Sequence, residues 1–186
     1  PHLARRPIRL VGGTLGKPPK AVRSAGDDRY WIDSIEGLVG LVEMGAVELH
    51  AANVTIDDLA RPDMLVFSVT AADAALRLST LLKTEGLESW PKLTGGRELH
   101  VMVPIEPDLS AAEALRYSEQ LAGRLAKADI DCRHNKPGAT AIAAFSPRSL
   151  PGFPIAAPVE WTEVQRGIAP DAFTMTKPGG KGMTAS

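Results

Sequence analysis

The chain has 186 residues, of which 44% are hydrophobic, 23% charged and 5% aromatic. These values suit one folded domain and exclude a disordered chain, and no run of about 18 apolar residues is present to cross a membrane. The single cysteine, Cys132, excludes an internal disulfide framework and a multi-cysteine zinc site. The first ten residues, PHLARRPIRL, contain no apolar segment typical of a secretory signal, so we expect a cytoplasmic protein.

The charge is distributed unevenly along the chain. The formal net charge is −1, which gives no overall support to nucleic-acid binding. Residues 1–30, however, carry seven Lys or Arg against two Asp, whereas residues 31–128 carry eight basic and fifteen acidic side chains. A basic, loop-rich start of this kind is either an anion-binding edge or a solvated terminus, and the sequence leaves both interpretations open.

Apolar spacing predicts alternating strands and helices in the first half of the chain. Short apolar runs bounded by Gly or Pro indicate strands, and apolar residues at helical spacing after a capping residue indicate helices. The expected elements are a strand at Pro7–Val11, a helix at about 34–44 begun by Asp33 or Ser34 and ended by Gly45, strands at Val47–His50 and Met64–Val69, and a helix at Ala72–Glu85.

The second half follows the same pattern and ends in a proline-rich stretch. The expected elements are a strand at Leu99–Ile105, a helix at Ser110–Ala128, a strand at Ala139–Phe145 and a short helix near Val159. Because strands and helices alternate irregularly, we expect a single domain of the α/β or α+β class. Residues 174–186 are predicted to form a flexible C-terminal tail.

The segment Thr94-Gly95-Gly96-Arg97-Glu98-Leu99-His100 carries the strongest local signal for binding. Two glycines in a turn let backbone N–H groups approach an anion closely, and Thr94, Arg97 and His100 add side-chain donors. The other interpretation is a plain hairpin with a solvated arginine. The sequence alone allows both.

Other polar residues are dispersed. Asp131 lies in a polar cluster with Arg133, where its carboxylate either binds a metal or pairs with the guanidinium. Ser68 and Thr70 follow an apolar run at a spacing of two, so both are expected on one face of a strand. The four histidines are scattered, and no two lie four residues apart, so we expect neither a zinc site nor a nucleophile triad.

Five blocks, taken in order, resemble a known family. They are Ser34–His50, Arg61–Thr70, Lys92–Pro104, Ile130–Arg148 and Pro154–Trp161, and Pro1–Val11 looks like the early strand that precedes them. Together they are similar to the polymerase domain of bacterial ATP-dependent DNA ligase D, in the archaeo-eukaryotic primase superfamily. The resemblance covers most of residues 1–173 and implies one domain with a primase-polymerase-like core of mixed sheets and flanking helices.

The resemblance implies a metal site that this chain has partly lost. In the family, an Asp-x-Asp pair and a third Asp hold two Mg²⁺ or Mn²⁺ ions, which activate the primer hydroxyl and neutralise phosphoryl charge. The pair falls on Ser68 and Thr70, and the third carboxylate falls on Asp131. We therefore expect Asp131 to be a weak metal ligand and catalysis to be impaired.

The triphosphate side of the family site is better kept. The family turn Ser-Gly-Gly-Lys-Gly-Leu-His matches residues 94–100, with Glu98 as a departure that adds a negative charge. His50, Thr140 and Arg148 match family residues at or near the nucleotide. The family's Phe-x-Gln-Lys-His block has no counterpart in Gly12–Ala25, and the basic segment that precedes the third Asp is also missing. The resemblance thus predicts that phosphate is bound by His50, Thr94, Gly95, Gly96, Arg97, His100, Thr140 and Arg148.

The family function is nucleotidyl transfer to DNA ends during non-homologous end joining. The resemblance implies DNA ends and nucleoside triphosphates as partners, a Ku-type protein and a ligase domain as further ones, and a place in the bacterial cytoplasm near the nucleoid, with no membrane contact. Our main expectation is an impaired polymerase-like domain. The alternatives are a non-catalytic module that binds DNA ends or nucleotide phosphates, and a decayed gene fragment.

Overall fold

The structure, a computed structural model, describes residues 3–12, 17–125 and 128–176. Within these ranges it contains ten strands, four α-helices and one short 3-10 helix, Arg133–Asn135. The strands are β1 (Ile8–Gly12), β2 (Arg23–Gly26), β3 (Arg29–Trp31), β4 (Ala46–Ala52), β5 (Met64–Val69), β6 (Trp90–Leu93), β7 (Leu99–Pro104), β8 (Ile130–Asp131), β9 (Thr140–Ile142) and β10 (Ala157–Pro158). The helices are α1 (Ile35–Glu43), α2 (Ala72–Thr84), α3 (Ala111–Gly123) and α4 (Trp161–Gln165).

The strands form two five-stranded sheets. The first sheet has the order β2-β3-β1-β4-β9, and the second has the order β10-β6-β7-β5-β8. The predicted fold class is confirmed, although the sheets that we expected to be mixed are antiparallel at every pairing of the described strands. None of the helices in the described part of the chain has the length and apolar character that crossing a lipid bilayer requires.

The larger hydrophobic core lies between the second sheet and helices α2, α3 and α4. Phe67 of β5 is fully buried there with Leu78 and Leu82 of α2 and Leu121 of α3. Because side chains alternate along a strand, the neighbouring Ser68 faces the opposite side, towards the first sheet. Both faces of β5 are thus covered, which explains why its sequence is almost continuously apolar.

Local chemistry explains the starts of two of the predicted helices. The Ser34 hydroxyl accepts a hydrogen bond from the Gly37 N–H at 3.2 Å and so begins α1. Ser110 and Glu113 form a reciprocal capping box at the start of α3. This helix ends at Gly123, earlier than the predicted Ala128, consistent with the low helix propensity of glycine.

The structure departs from the predicted elements at two strands, and it describes only the first residues of the predicted tail. The predicted strand Ala139–Phe145 is shortened to Thr140–Ile142, and Phe145 adopts a positive φ of 65°, which no strand residue can take. Strand β6 was missed because it contains Pro91, which usually argues against a strand. The C-terminal chain is still attached at Met175, whose N–H donates to the Phe153 carbonyl, and residues 177–186 of the predicted tail lie outside the described residues.

The basic start of the chain is more ordered than the predicted loop. Strands β2 and β3 form a hairpin whose turn, Asp27–Asp28, has positive φ angles at both residues, as tight hairpin turns require. Three of the arginines are paired with carboxylates. The pairs are Arg5 with Asp57, Arg6 with Asp63 and Arg23 with Asp33. The start of the chain is therefore partly neutralised within the protein.

The two sheets face each other across a cleft. The cleft contains a cavity of about 640 Å³ that is lined by residues of both sheets, including Met64, Met102 and Ile142. Lys92 of β6 spans the cleft, and its Nζ donates a hydrogen bond to the Ile142 carbonyl of β9 at 2.6 Å. Burial lowers the pKa of Lys92 from 10.5 to about 7.

Asn135 fastens the segment after β8 to the middle of β5. Its Oδ1 accepts from the Val66 N–H at 2.8 Å, and its Nδ2 donates to the Val66 carbonyl at 3.0 Å. A further bond runs from Asn53 Nδ2 to Asn135 Oδ1 at 3.2 Å. All three residues are buried, so the Asn135 amide replaces the strand partner that Val66 lacks on this side.

We expect Asn135→Ala to destabilise the protein by about 2–4 kcal/mol, because two buried backbone groups of Val66 lose their partners. Urea unfolding followed by circular dichroism measures this change. The matched control is Lys136→Ala at the adjacent exposed position, which should change stability by less than about 0.5 kcal/mol. Equal stability of the Asn135 variant and the wild type would show that the amide is not needed to hold this segment.

Lys92 predicts a pH dependence of stability. Because its pKa is lower in the folded chain than in the unfolded chain, the unfolded state binds more protons above about pH 7, and the unfolding free energy should rise with pH. We expect a slope of at most about 1.4 kcal/mol per pH unit between about pH 7 and pH 9. Unfolding curves of the wild type and of Lys92→Met over this range test it. A slope that is the same in both proteins would contradict the assignment to Lys92.

Candidate functional site

Four polar side chains form one row across the second sheet. In the strand register, Lys92 of β6 pairs with His100 of β7, His100 pairs with Ser68 of β5, and Ser68 pairs with Asp131 of β8. Directly opposed residues of antiparallel strands share a face of the sheet, so all four face the cleft. The structure therefore brings Ser68, His100 and Asp131 together, as the alignment with the family requires.

His134 connects this row to the first sheet. It lies in the 3-10 helix after β8, and its Nδ1 is 2.9 Å from the carbonyl oxygen of Thr140 on β9. Its ring centroid lies 4.7 Å from that of His100, with the ring planes tilted by 59°. Thr140 thus meets the site through its backbone carbonyl. The sequence had singled out the threonine and not His134.

The carboxylates of the site are held by an arginine. Arg133 Nη2 lies 2.6 Å from each carboxylate oxygen of Glu98, and its Nη1 lies 2.5 Å from Asp131 Oδ2. The Arg133 backbone N–H also donates to Asp131 Oδ1 at 2.6 Å. The sequence allowed Asp131 either to bind a metal or to pair with Arg133, and the structure shows the ion pair. Arg133 also pairs with a second carboxylate, that of Glu98.

Protonation states in the site follow from burial and from these bonds. Partial burial acts to raise the pKa of Asp131 and of Glu98, but the hydrogen bonds and charge of Arg133 prevail, so both pKa values are lowered. Burial lowers the pKa of His134 and, more strongly, that of His100, which is 2% exposed. Both carboxylates are therefore ionised and both imidazoles neutral at pH 7.

The residues do not fit the two hard cations that the family resemblance implies. Ser68 is buried and its Oγ makes no hydrogen bond of good geometry within the described residues, while Thr70 is exposed, one residue beyond the end of β5. Both side chains are neutral. Mg²⁺ and Mn²⁺ need several oxygen ligands, usually with carboxylates among them, and both oxygens of Asp131 are already bound by Arg133.

The glycine turn is closed by bonds within the protein. Gly95 N–H donates to the Pro170 carbonyl at 2.9 Å, and Gly96 N–H donates to Thr94 Oγ1 at 3.2 Å. The Thr94 hydroxyl donates to the Glu98 carbonyl at 2.5 Å. These donors were expected to face an anion, and the structure uses them to fix the turn instead. The turn therefore offers side chains, and not these backbone N–H groups, to an anion.

Gly95 is required by the shape of the turn. Its φ is +70°, and a Cβ there would lie 2.9 Å from Cγ of Arg148. Arg148 is packed against the turn, and its Nη1 donates to the Thr94 carbonyl at 3.1 Å. Arg97, in contrast, is exposed and makes no hydrogen bond or ion pair with the described residues. Arg97 is thus a guanidinium at the turn that is available to a ligand.

Glu48 is a site residue that the sequence analysis missed. It is 6% exposed on β4, and its Oε2 lies 2.8 Å from His50 Nε2 and 3.2 Å from Arg148 Nε. Its Oε1 accepts from the Ser149 N–H at 2.7 Å. Burial acts to raise the pKa of Glu48, but the His50 and Ser149 hydrogen bonds lower it overall. Glu48 therefore joins His50 and Arg148, and its spacing of two from His50 on a strand is the signal that would have indicated it.

Comparisons with known proteins identify the family of the chain. The family model for the primase-polymerase domain of LigD matches residues 14–130 and 126–180. The multifunctional non-homologous end joining protein LigD of Pseudomonas aeruginosa is 32% identical over 155 residues, which cover 69% of this chain and 18% of that protein. The bifunctional non-homologous end joining protein LigD of Bacillus subtilis is 28% identical over 141 residues, covering 66% of this chain and 22% of that protein.

A solved structure has the same fold. The polymerase domain of Mycobacterium tuberculosis ligase D in complex with DNA matches with a TM-score of 0.69 and 20% identity, over 88% of this chain and 76% of that one. The chain spans about a fifth of the length of the curated relatives it matches. Because the family model covers most of the sequence, the chain belongs to the LigD primase-polymerase domain family.

Proposed function

We propose that this chain is a polymerase-type domain of bacterial end joining in which nucleotidyl transfer is lost or nearly lost, while binding of nucleotide or DNA phosphate is retained. The observation that carries the proposal is Arg133, which binds Asp131, the one carboxylate of the family's metal set that this chain keeps, together with the added Glu98. The relatives are named as non-homologous end joining proteins, which supports the process.

The loss of activity follows from charge. Phosphoryl transfer needs cations that neutralise the developing negative charge and lower the pKa of the attacking hydroxyl. Ser68 and Thr70 supply no negative charge to hold such ions, and Asp131 already has a cationic partner. Mg²⁺ or Mn²⁺ brought in by a nucleotide would therefore meet Asp131 and Glu98, both paired with Arg133, instead of three free carboxylates.

Retained binding follows from the guanidinium groups at the glycine turn. Arg97 is exposed, and Arg148 keeps about a quarter of its side chain accessible beside it. Guanidinium groups bind phosphate oxygens with paired, charge-assisted hydrogen bonds. The solved relative is a complex with DNA, which favours DNA ends as a ligand besides nucleoside triphosphates.

The same arrangement supports a second candidate, a non-catalytic module that holds a DNA end within a repair complex. The specific observation in its favour is the exposed Arg97 at an otherwise closed turn. A Ku-type protein and a ligase domain are the partners proposed for either function, in the bacterial cytoplasm in contact with the nucleoid. Both functions are tested against the third possibility, a decayed fragment that binds neither nucleotide nor DNA.

We expect no measurable primer extension by the chain with Mn²⁺ and either ribonucleotides or deoxyribonucleotides. The physical reason is the missing metal-binding pair, whose charge stabilisation is the main catalytic contribution in this reaction. Extension of a labelled primer on a template with a recessed end measures it. The control is the same assay with a family member that has all three carboxylates. Extension by the wild type that disappears in Asp131→Ala would overturn the loss of activity.

We expect ATP to bind weakly and with little dependence on Mg²⁺ or Mn²⁺. Arg97→Ala should weaken this binding by about 1–3 kcal/mol, since a charge-assisted phosphate contact is removed. Calorimetry with and without Mn²⁺ gives both quantities. Arg116→Ala, an exposed arginine on α3, is the matched control and should leave the affinity unchanged.

The outcomes of this titration distinguish retained phosphate binding from a decayed fragment. A strong requirement for Mn²⁺ would contradict direct recognition of phosphate by arginine. Absence of binding in both conditions, for ATP and for a short DNA duplex with a recessed end, would favour the decayed fragment.

A further inference from the structure

Glu98, His100 and His134 form a cluster of potential metal ligands beside the polar row of the second sheet. Glu98 ends the glycine turn, His100 lies on β7, and His134 lies in the 3-10 helix after β8. One ligand atom from each residue lies within 4.8 Å of the other two. Three side chains from two distant segments of the chain thus converge on one point.

The histidines of this cluster have nitrogens that nothing else uses. His134 Nδ1 is 2.9 Å from the Thr140 carbonyl, which can only accept, so the neutral ring carries its proton on Nδ1 and a lone pair on Nε2. His134 Nε2 and His100 Nδ1 are both buried and have no hydrogen-bond partner in the described ranges of the chain. Two buried, unpaired ring nitrogens within one cluster are costly and call for a ligand.

We propose that Glu98, His100 and His134 bind one divalent transition-metal ion of the Zn²⁺ type. Two imidazoles and one carboxylate are a common ligand set for such ions, whereas Mg²⁺ prefers oxygen ligands alone. The Thr140 carbonyl that orients His134 is the outer partner that metal-bound histidines usually have. The ligand set includes none of Ser68, Thr70 and Asp131, so it differs from the set implied by the family pattern, although Ser68 lies opposite His100 in the strand register.

Binding requires a modest inward movement of the ligands. Atoms that coordinate Zn²⁺ at about 2.0–2.1 Å in tetrahedral geometry lie about 3.3–3.4 Å from one another. In the structure the ligand atoms lie up to 4.8 Å apart, so they must approach one another by up to about 1.5 Å. Rotation of the half-buried Glu98 side chain can supply this movement. Three protein ligands leave at least one position for water or an anion from the cleft.

Arg133 is the internal competitor of the metal. Its Nη2 lies 2.6 Å from both Glu98 oxygens and balances their charge in the structure. An ion at the cluster replaces Arg133 as the partner of one Glu98 oxygen, while Arg133 keeps its contact with Asp131. Removing the guanidinium should therefore strengthen metal binding, because Glu98 is then free to coordinate.

The test is a titration of the full chain with Zn²⁺ by calorimetry, repeated with Co²⁺ and followed by visible absorption. We expect one ion per chain, a Co²⁺ spectrum of nitrogen and oxygen ligands, and no displacement by a tenfold excess of Mg²⁺. Glu98→Gln and His134→Gln should each weaken binding at least tenfold, and Arg133→Gln should strengthen it several-fold. Circular dichroism establishes that each variant is folded. If His134→Gln does not fold, the result for Glu98→Gln, which changes a half-buried side chain, decides the test.

The matched controls are His50→Gln and Glu119→Gln. His50 pairs with Glu48 and offers the alternative histidine–carboxylate site, while Glu119 is an exposed glutamate of α3. Both variants should bind Zn²⁺ as the wild type does. Binding that is lost in His50→Gln, binding that is unchanged in Glu98→Gln, or no binding by the wild type would each overturn the proposal.

Discussion

The attachment of Asn135 to Val66 is the interaction on which the site depends. Strand β8 has only two residues, and beyond Asp131 the chain leaves the sheet. The Asn135 side chain then bonds to both backbone groups of Val66, so the short segment between is fixed at both ends. Asp131, Arg133 and His134 all lie on this segment. Their positions relative to β5 and β7 follow from this buried amide together with the pairing of β8 with β5.

Charge within the cleft is balanced by the protein's own cations. Arg133 neutralises Glu98 and Asp131, and Lys92 lies buried with its Nζ on a backbone carbonyl. The imidazoles between them stay neutral because burial disfavours their charged forms. Such a cleft offers little to a hard cation that seeks free carboxylates. The groups that remain available to a ligand are the Arg97 guanidinium at the glycine turn and the unpaired ring nitrogens of His100 and His134.

The elements that the sequence predicted well are those set by local chemistry. Ser34 and Ser110 mark helix starts because their hydroxyls accept from nearby N–H groups, and Met64–Val69 is a strand because both of its faces are buried. The hairpin at Asp27–Asp28 was missed because it depends on two positive φ angles at aspartates. Strand β6 was missed because it contains Pro91, and it forms through its pairing with β7.

The site could be predicted only in part. The family pattern pointed to Ser68, His100 and Asp131, and the strand register places them side by side. Glu98 was visible only as a departure from the pattern, and His134 as one of four scattered histidines. Their convergence depends on the pairing of β5 with β7 and β8, which joins positions more than thirty residues apart, and no local spacing encodes that pairing.

The ion pairs near the start of the chain also govern how the protein responds to ionic strength. DNA sheds condensed counterions where its phosphates meet unpaired cationic side chains. Arg5, Arg6 and Arg23 each already face a carboxylate, so a phosphate contact with any of them would exchange one ion pair for another and leave an aspartate to be hydrated. If the proposed nucleic-acid contacts form on this surface, their salt sensitivity is therefore set by the basic side chains that remain unpaired, and not by the formal charge of the first thirty residues.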